Sequence, residues 1–587
     1  MRRVLHIDLT TTEVRTEDLA GDGPLGLGGK ALAVELMERL LDPTVDPLDP
    51  ANVVILTPSL LAGYAFSGSD RMGAFTKSPL TGAFLDSYSG GTCARTLRET
   101  GWDAVVLTGA APDPVRVDVD AAGATIVPAD GLWGTDVFAA DDAVTADLPK
   151  RACALVIGPA GEALSPMASV HCEKDHAFGR GGLGAVFGSK RLKVLTLTSP
   201  GAVRLEPSEE FAAVRIAVSK LATDAPVAHN YRRMGTSMMV ALLNEAGGFP
   251  TDYWSHGVSP YRSTLEAEHF PAWAKVETDS CPPCPMRCRK KLTILAGPHA
   301  GRVVKGPEYE TLYAFGGLCM IEQAEDVLLI HERCNVLGID TISVGNVIAL
   351  AIRAGQKGVR PDAPAPGDTE AILSLLDAIA GRSTDLGDVL ACGIREASAR
   401  LGMSDEAIHV KGMEPAGYDP RALRGMALAY ATSPRGACHL RATFYKAILA
   451  GMTKDKDAAG VAELFIDFED RLFLFDCLTM CRFYRDFLTW DDLAVATGQL
   501  AGRTVSVAEL KTVARDLLTR VRRLNFAMGL TAADDTLPPR FFNEELDGHP
   551  PIGREELRDL LHHYWRLRDW GPGGDVVVLE APSPTAL

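Results

Sequence analysis

The residues with the most evident chemistry are Cys281, Cys284 and Cys288, three of the chain's twelve cysteines, set in the stretch CPPCPMRC. The C-x2-C-x3-C spacing puts three thiolates in one loop, and thiolates are the soft ligands of iron–sulfur clusters and zinc. Prolines 282 and 283 stiffen the loop and remove backbone donors. A 4Fe–4S cluster takes four thiolates, so that reading requires a fourth cysteine from a distant part of the chain. A zinc knuckle or three unconnected thiols are the competing readings; a zinc ribbon would show two C-x2-C pairs, and only one occurs.

Other stretches also carry reactive side chains. Ser67–Gly91 and His176–Lys190 are Gly-rich and contain Arg71 and Arg180. Glycine lets backbone N–H groups approach an anion, and arginine offers a planar fork for phosphate. Tight turns are the plainer reading of either loop, but two such loops point to an anionic ligand. Gly306–Glu310 (GPEYE) offers a carboxylate, Arg435–Arg441 (RGACHLR) a histidine between two arginines, and Asn335–Asp340 (NVLGID) a polar junction between helices. Asp476–Cys481 (DCLTMC) places two more cysteines in an apolar, helical context.

The elements that must position these residues follow from periodicity. Short β-rich runs at Val4–Leu9, Val53–Leu56, Ala104–Leu107, Val115–Val119, Ala154–Ile157 and Leu192–Leu197 predict a strand-rich first part, with a helix over Gly29–Leu40. From about residue 206 the pattern turns helical, over Glu209–Ala222, Ser237–Ala246, Ile321–Leu337, Thr341–Ala354, Thr369–Ile379 and Thr384–Leu401. Breakers at 361–367 and 415–420 divide it. The expected architecture is α+β: a β-rich base over residues 1–205, then helical domains over 206–415 and 416–587. Residues 571–587 are expected to form a terminal strand and a loose tail.

With 59 basic and 76 acidic residues the net charge is −17, which argues against nucleic-acid binding and against an anionic membrane surface. An acidic electron carrier meeting a basic patch at Arg287–Lys291, or a basic carrier, is compatible with it. The beginning of the chain has no apolar run of signal-peptide length, and no stretch approaches a membrane span. Cysteines without paired spacing fit a reducing compartment, so a soluble cytoplasmic protein is expected.

Taken together and in order, these motifs resemble the tungsten-containing aldehyde:ferredoxin oxidoreductase family. They are TKSPLTG at 76–82, DSYSGG at 86–91, GRGGLGAV at 179–186, the three-cysteine loop, GPEYET at 306–311, LGIDTIS at 337–343 and D-x-L-x-x-C-x-F at 476–483. The resemblance implies a β-rich base beneath two helical domains. At their junction it implies a tungsten (or molybdenum) bis-pyranopterin, with magnesium bridging the pterin phosphates and a 4Fe–4S cluster nearby. Aldehydes would be oxidised to carboxylic acids, with electrons passed to ferredoxin or an iron–sulfur partner subunit.

Residue by residue, the resemblance makes Cys281, Cys284, Cys288 and Cys481 the cluster ligands, with Cys477 the rival for the fourth place. Pterin contacts would come from Arg71, Tyr88, Gly90, His176, Ala177, Gly179, Arg180, Asn335, Ile339, Asp340, Arg435, Arg441, Asp476, Met480 and Arg482. Four of these depart from the family pattern, Arg441 among them, at a position that is usually Lys. Asn335 replaces an Asp, Tyr88 stands where Asn is often found, and His176 where Arg is often found. Backbone carbonyls at 88 and 177 facing magnesium would tolerate the Tyr, whereas an uncharged His176 would weaken phosphate binding. Glu310 and His439 match the family's acid/base pair; outside that context they read as a helix cap and a core histidine. Cys319 is a buried structural cysteine or, in an acyl-reducing branch, a metal ligand. Leu329–Glu332 lacks the E-x-x-H pair of an inter-subunit iron, so no such iron is expected, while a homodimer or hetero-oligomer is left open. The alternatives are a reductase of carboxylic acids or aromatic acyl-CoAs, an electron-transfer subunit without pterin, and a zinc-structured binding protein.

Overall fold

The structure is a computed structural model that describes residues 2–19, 23–281 and 284–577. Aliphatic and β-branched runs in the first third of the chain form two six-stranded sheets. The first orders Val14–Leu19, Arg2–Asp8, Ala104–Thr108, Val54–Pro58, Met72–Lys77 and Phe84–Ser89. The second orders His176–Phe178, Val170–Cys172, Ala152–Ile157, Leu192–Thr198, Val115–Val119 and Ala124–Pro128. Each sheet is mixed, with one parallel pair: Arg2–Asp8 with Ala104–Thr108, and Leu192–Thr198 with Val115–Val119.

Strand alternation explains how the sheets sit. Leu5, Leu56 and Leu107 share a core with Leu155, Ile157 and Leu195 of the second sheet. Their strand neighbours Val4, Ile55 and Val106 point the opposite way, into the large core that the helices complete. The first sheet is therefore buried on both faces and forms a floor under the helical part. This is the α+β arrangement expected, with the six strands expected in the first part of the chain present to within a residue or two.

The helices start where their caps predict. Asp340 accepts from Ser343 N at the head of Thr341–Gln356, and Asp457 from Gly460 N at the head of Ala458–Cys477. Four expectations need correction. The Ser67–Gly91 region is not only loop: Met72–Lys77 and Phe84–Ser89 pair as a hairpin in the first sheet. In His176–Lys190, His176–Phe178 is a strand and Leu183–Ser189 a helix, which confines the loop to 179–182. The helical part also holds a three-stranded sheet, Ala274–Asp279, Arg289–Ile294 and Val303–Lys305, whose first two strands flank the three-cysteine loop. Thr384–Leu401 is two helices, broken at Gly393, where φ is +80°. Prolines 282 and 283 lie outside the described residues, as does most of the expected terminal strand and tail; residues 571–577 contain no strand. No described helix is long and apolar enough to cross a membrane.

Candidate active site

Cys281, Cys284, Cys288 and Cys481 line one cavity of about 300 Å³. Cys481 arrives there because the chain leaves its helix after Cys477. Thr479 turns left-handed, at φ +52°, and Cys481 N then donates to Gly68 O at 2.8 Å. Gly68 must be glycine twice over: its φ is +87°, and a Cβ would lie 2.5 Å from the Tyr484 ring. That ring in turn aims its hydroxyl at Cys284 Sγ, 3.1 Å away. Cys477 points elsewhere, into the core beside Lys30 and Ala31. The turn that ends the helix is what separates the two cysteines; helical periodicity alone would have kept them on one face.

Burial raises the thiol pKa of Cys281, Cys284 (to about 11) and Cys288, and the charge of Cys481 adds to each rise. Burial and mutual repulsion favour the protonated thiols, and a bound cationic group would stabilise them as thiolates. Among the described residues no three His, Cys, Asp or Glu side chains converge closely enough for a single metal ion. Four thiols spaced around a cavity fit a ligand with several metal atoms, each taking one thiolate.

A second cavity of about 290 Å³ abuts the first, and Arg71, Glu308 and Phe483 line both. Its walls hold Glu310 and His439, whose Oε1 and Nε2 are 3.3 Å apart. Glu310 lies in a short helix, Tyr309–Thr311, that widens into a π-helical turn over Leu312–Leu318. Burial pushes its carboxyl up to about 8, against the pull of the Gly417 N–H donated to Oε2 at 3.1 Å. His439 is held well below its ordinary value by burial, then by Arg180, Arg435, Arg441 and Arg485, so it is neutral near pH 7. Its Nδ1 and Glu310 Oε1 have no hydrogen-bond partner. The pair can accept and release a proton at the cavity surface.

Buried ions tie the cavity to both halves of the chain. Asp86 takes Lys30 Nζ at 2.9 Å and Arg441 Nη1. Asp476 takes Arg441 Nη1 at 2.8 Å and Arg482 Nη2 at 2.5 Å. Arg435 Nη1 donates to Asp86 O, its Nε lies 3.9 Å from Asp86 Oδ1, and its Nη2 donates to Cys438 Sγ at 3.0 Å. Burial would raise the Cys438 thiol, but Arg435 and Arg441 outweigh it and bring it to about 7. A second network joins Arg180 to Asp340 at 3.4 Å and to Glu414 at 3.1 Å. Cations outnumber carboxylates here, and Arg441 Nε has no partner. Such a site suits a polyanionic group with several hydrogen-bonding edges, as phosphorylated pterins have.

The remaining expected residues divide clearly. Tyr88, Gly179, Arg180, Arg435, Arg441, Asp476, Met480 and Arg482 line the second cavity with Glu310 and His439; Gly90, His176 and Ala177 line the thiol cavity; Arg71 lines both. Arg71 Nη2 donates to Tyr88 O at 3.0 Å, so the backbone at 88, not its phenol, meets the arginine. Asn335 and Ile339 line neither cavity. Asn335 bonds His331 at 3.1 Å, Ile339 bridges to Ala168, and Asp340 reaches the site through Arg180. His176 is uncharged: burial, then Arg289, Arg71 and Lys305, push it down to about 2. Arg289, whose Nη1 bonds His176 Nε2, supplies a cation in its place. Cys319 is buried against Gly345 O at 3.5 Å and lines neither cavity. The basic patch expected at Arg287–Lys291 is incomplete, because Lys290 is buried and donates to Tyr231 O and Cys288 O. Tyr231, Thr236, Met239, Leu440 and Tyr445 also line the second cavity, whereas Tyr253 is buried outside it. Lys30, Asp86, Glu414 and Arg485 were not expected, and Arg289 was expected only as part of a basic patch. Only Asp86, at the head of the DSYSGG motif, carried a signal that could have found it.

A cavity of buried cations that holds Glu310 and His439 thus shares a wall with a four-thiol cavity, an arrangement that suits an oxidoreductase. Comparison with known proteins gives the same class. The family model "Aldehyde ferredoxin oxidoreductase, N-terminal domain" matches residues 4–199, and "Aldehyde ferredoxin oxidoreductase, domains 2 & 3" matches 213–577. The chain belongs to the aldehyde ferredoxin oxidoreductase family. It is 31% identical over 592 aligned positions to the tungsten-containing aldehyde ferredoxin oxidoreductase of Thermococcus kodakarensis, covering 98% of this chain and 97% of that one. The protein of that name from Pyrococcus furiosus is also 31% identical, over 590 positions with the same coverage. Among solved structures, the active site complex BamBC of benzoyl coenzyme A reductase with 1,5-dienoyl-CoA shares the fold. Its TM-score is 0.83 at 21% identity, covering 97% of this chain and 95% of that one.

Proposed function

We propose that this protein oxidises aldehydes to carboxylic acids at a tungsten or molybdenum bis-pyranopterin and passes the electrons through a 4Fe–4S cluster to ferredoxin or an iron–sulfur subunit. The observation that carries this reading is the shared wall: Arg71, Glu308 and Phe483 separate the acid/base cavity from the four-cysteine cavity. Electron acceptors bound in the two cavities would be neighbours. The printed names of the relatives add tungsten, aldehyde and ferredoxin.

Arg71, Arg180, Arg435 and Arg441 would hold the pterin phosphates, with Tyr88 and Ala177 offering carbonyls to a bridging magnesium. Cys281, Cys284, Cys288 and Cys481 would hold the cluster. When bound, the metal–pterin group supplies the two-electron acceptor. The overall change, aldehyde plus water to carboxylic acid plus two protons and two electrons, leaves protons to be managed inside a closed cavity. Glu310 and His439 do this work. Glu310, protonated up to about pH 8, takes up a proton when ionised and returns it to solvent, while neutral His439 hydrogen-bonds the carbonyl or its hydrate. The surrounding tyrosines exclude bulk water and lower the local dielectric, which strengthens both interactions.

The test is metal analysis of purified holoprotein together with aldehyde-driven viologen reduction. One tungsten or molybdenum and the four irons of one cluster per chain, with turnover on aldehydes, are expected. Zinc without visible iron–sulfur absorbance would overturn the reading. Turnover confined to acyl-CoA reduction would replace it with the reductive chemistry.

A further inference from the structure

A third cavity, of about 20 Å³, lies outside the two described above, where the helix Val507–Ala527 meets the segment that precedes Arg435. Two buried cations line it, Lys411 and Arg522, with a single carboxylate, Asp535. Asp535 Oδ1 accepts from Lys411 Nζ at 2.9 Å, and Oδ2 from Arg522 Nη1 at 2.9 Å and Trp565 Nε1 at 3.2 Å. Among the described residues no other carboxylate pairs with either cation, so the buried group carries one net positive charge. Arg522 Nε donates to Gly574 O at 2.9 Å, while Nη2 has no hydrogen-bond partner among the described residues.

The chain holds both cations inside against their ordinary preference. Lys411 and Gly412 form the tip of a tight turn between Val410 and Met413, at φ +56° and +88°. A lysine seldom takes that conformation, and at a turn tip its amine would ordinarily lie in solvent. Here Lys411 is 8% exposed, and Nζ also donates to Ala431 O at 2.6 Å. The Arg522 guanidinium, 7% exposed as a residue, lies 4.3 Å from the Trp570 ring centroid and 4.8 Å from that of Phe526. Burying an unbalanced charge is costly, and a guanidinium donor left unmade adds to the cost. A particle with one negative charge that accepts from Nη2 removes both costs.

A volume of about 20 Å³ admits one particle the size of a water molecule or slightly larger. Sulfate and phosphate do not fit it. Water would satisfy Nη2 and leave the charge unbalanced. We propose that this cavity is a binding site for a monatomic anion, chloride, and that the ion braces the segment Ala431–Pro434 ahead of Arg435. The cavity walls already grip that segment: Lys411 Nζ donates to Ser433 O at 3.3 Å and Asn525 Nδ2 to Pro434 O at 2.6 Å. Asn525 Oδ1 accepts from Phe84 N at 2.7 Å, at the head of the strand that carries Asp86. An ion between Lys411 and Arg522 therefore steadies the two segments that bring Arg435 and Asp86 together. Nothing in this proposal depends on the reaction proposed above.

Holoenzyme crystals soaked in sodium bromide test occupancy directly, because bromide replaces chloride and scatters anomalously. An anomalous peak within hydrogen-bond reach of Arg522 Nη2 is expected. A peak there without anomalous signal, which is water, would overturn the site, and so would a carboxylate of the chain itself on Nη2.

In solution, thermal unfolding of the holoenzyme is followed as chloride replaces gluconate at constant ionic strength, gluconate being too large to enter. The Tm of wild type should rise over an increase in chloride of about a hundredfold, Arg522→Gln should lose that rise and Arg522→Lys should keep part of it. An equal response in wild type and Arg522→Gln would sink the proposal. Hydrogen exchange on wild type reads the bracing without any variant. Amides within 431–435 should exchange several-fold more slowly in chloride than in gluconate, and equal rates would remove the bracing role.

Discussion

Glu310 Oε1 and His439 Nε2 lie 3.3 Å apart, yet they come from distant parts of the chain and are positioned by different means. Glu310 is fixed by the Gly417 N–H, and His439 by stacking on Tyr418 at 5.2 Å. The surroundings act on both: burial raises the acid and, with four arginines, lowers the base. The result is a neutral pair at pH 7, which distinguishes it from an ordinary buried ion pair.

A pH dependence follows. As a base Glu310 must be ionised, so kcat/KM should climb with pH and level off above about 8, the value set by burial. Glu310→Gln keeps an acceptor for the Gly417 N–H and removes the titration; it should lower kcat by about a hundred- to ten-thousandfold and flatten the profile. Stability moves the other way. The folded-state pKa is raised above the ordinary 4.5, so Glu310's contribution is complete below that value and is lost as pH rises through about 8. Urea denaturation between pH 5 and 9 should show that fall in wild type and a smaller one in Glu310→Gln. A parallel fall in both proteins would deny Glu310 the raised pKa.

Cys481→Ser should remove or convert the iron–sulfur cluster, read as iron content and visible absorbance, while Cys477→Ser should leave both intact. The reason is geometric: Cys481 shares a cavity with the three loop cysteines, and Cys477 packs beside Lys30. The opposite outcome would mean that the chain ends its helix differently from the turn at Thr479.

That turn also shows how far the sequence could be read. The three-cysteine loop, the strands of the base and most helices follow from spacing and periodicity, because local patterns determine them. The choice between Cys477 and Cys481 depends on a backbone reversal that no periodicity encodes. Lys30 sits in a helix whose pattern would leave a lysine in solvent, but it is fully buried because the helix packs over Asp86 from a strand 56 residues away. The hairpin Met72–Lys77/Phe84–Ser89 was hidden by its glycines, serines and proline. Glu310 and His439 were legible only through the family resemblance, since each alone has an ordinary structural reading.

Tyr484 O–H lies 3.1 Å from Cys284 Sγ and is the one phenol among the residues lining the thiol cavity. Hydrogen bonds to cluster sulfurs stabilise the more negative, reduced state and raise the potential. Tyr484→Phe should therefore lower the cluster's reduction potential, on the order of tens of millivolts, with little change in iron content. Redox titration followed by electron paramagnetic resonance measures it. An unchanged potential would assign the tyrosine to packing against Gly68 alone.

Lys30 joins the N-terminal helix to both buried aspartates of the cofactor cavity, 2.9 Å from Asp86 and 3.9 Å from Asp476. It also lies over the Phe473 ring, 4.4 Å from its centroid. Burial alone would raise Asp86, but Arg441, Lys30 and Arg435 outweigh it and hold the carboxyl well below the usual range. Lys30→Met retains the stem and the contact with Phe473 while removing the charge, so it should cost about 3–5 kcal/mol at neutral pH, the range for breaking a buried pair. The sign of the pH dependence is fixed by the depressed pKa. Asp86's contribution is present above the ordinary aspartate value of 3.8 and is lost as pH falls through the lower folded value. The gap between wild type and Lys30→Met in denaturant should therefore be widest near neutrality and narrow in acid. Because Arg441 spans Asp86 and Asp476 on the cavity wall, the same variant should also reduce the metal and pterin retained on purification. A variant that keeps full cofactor content and loses less than about 1 kcal/mol, the scale of a surface pair, would show that the arginines alone hold the two carboxylates.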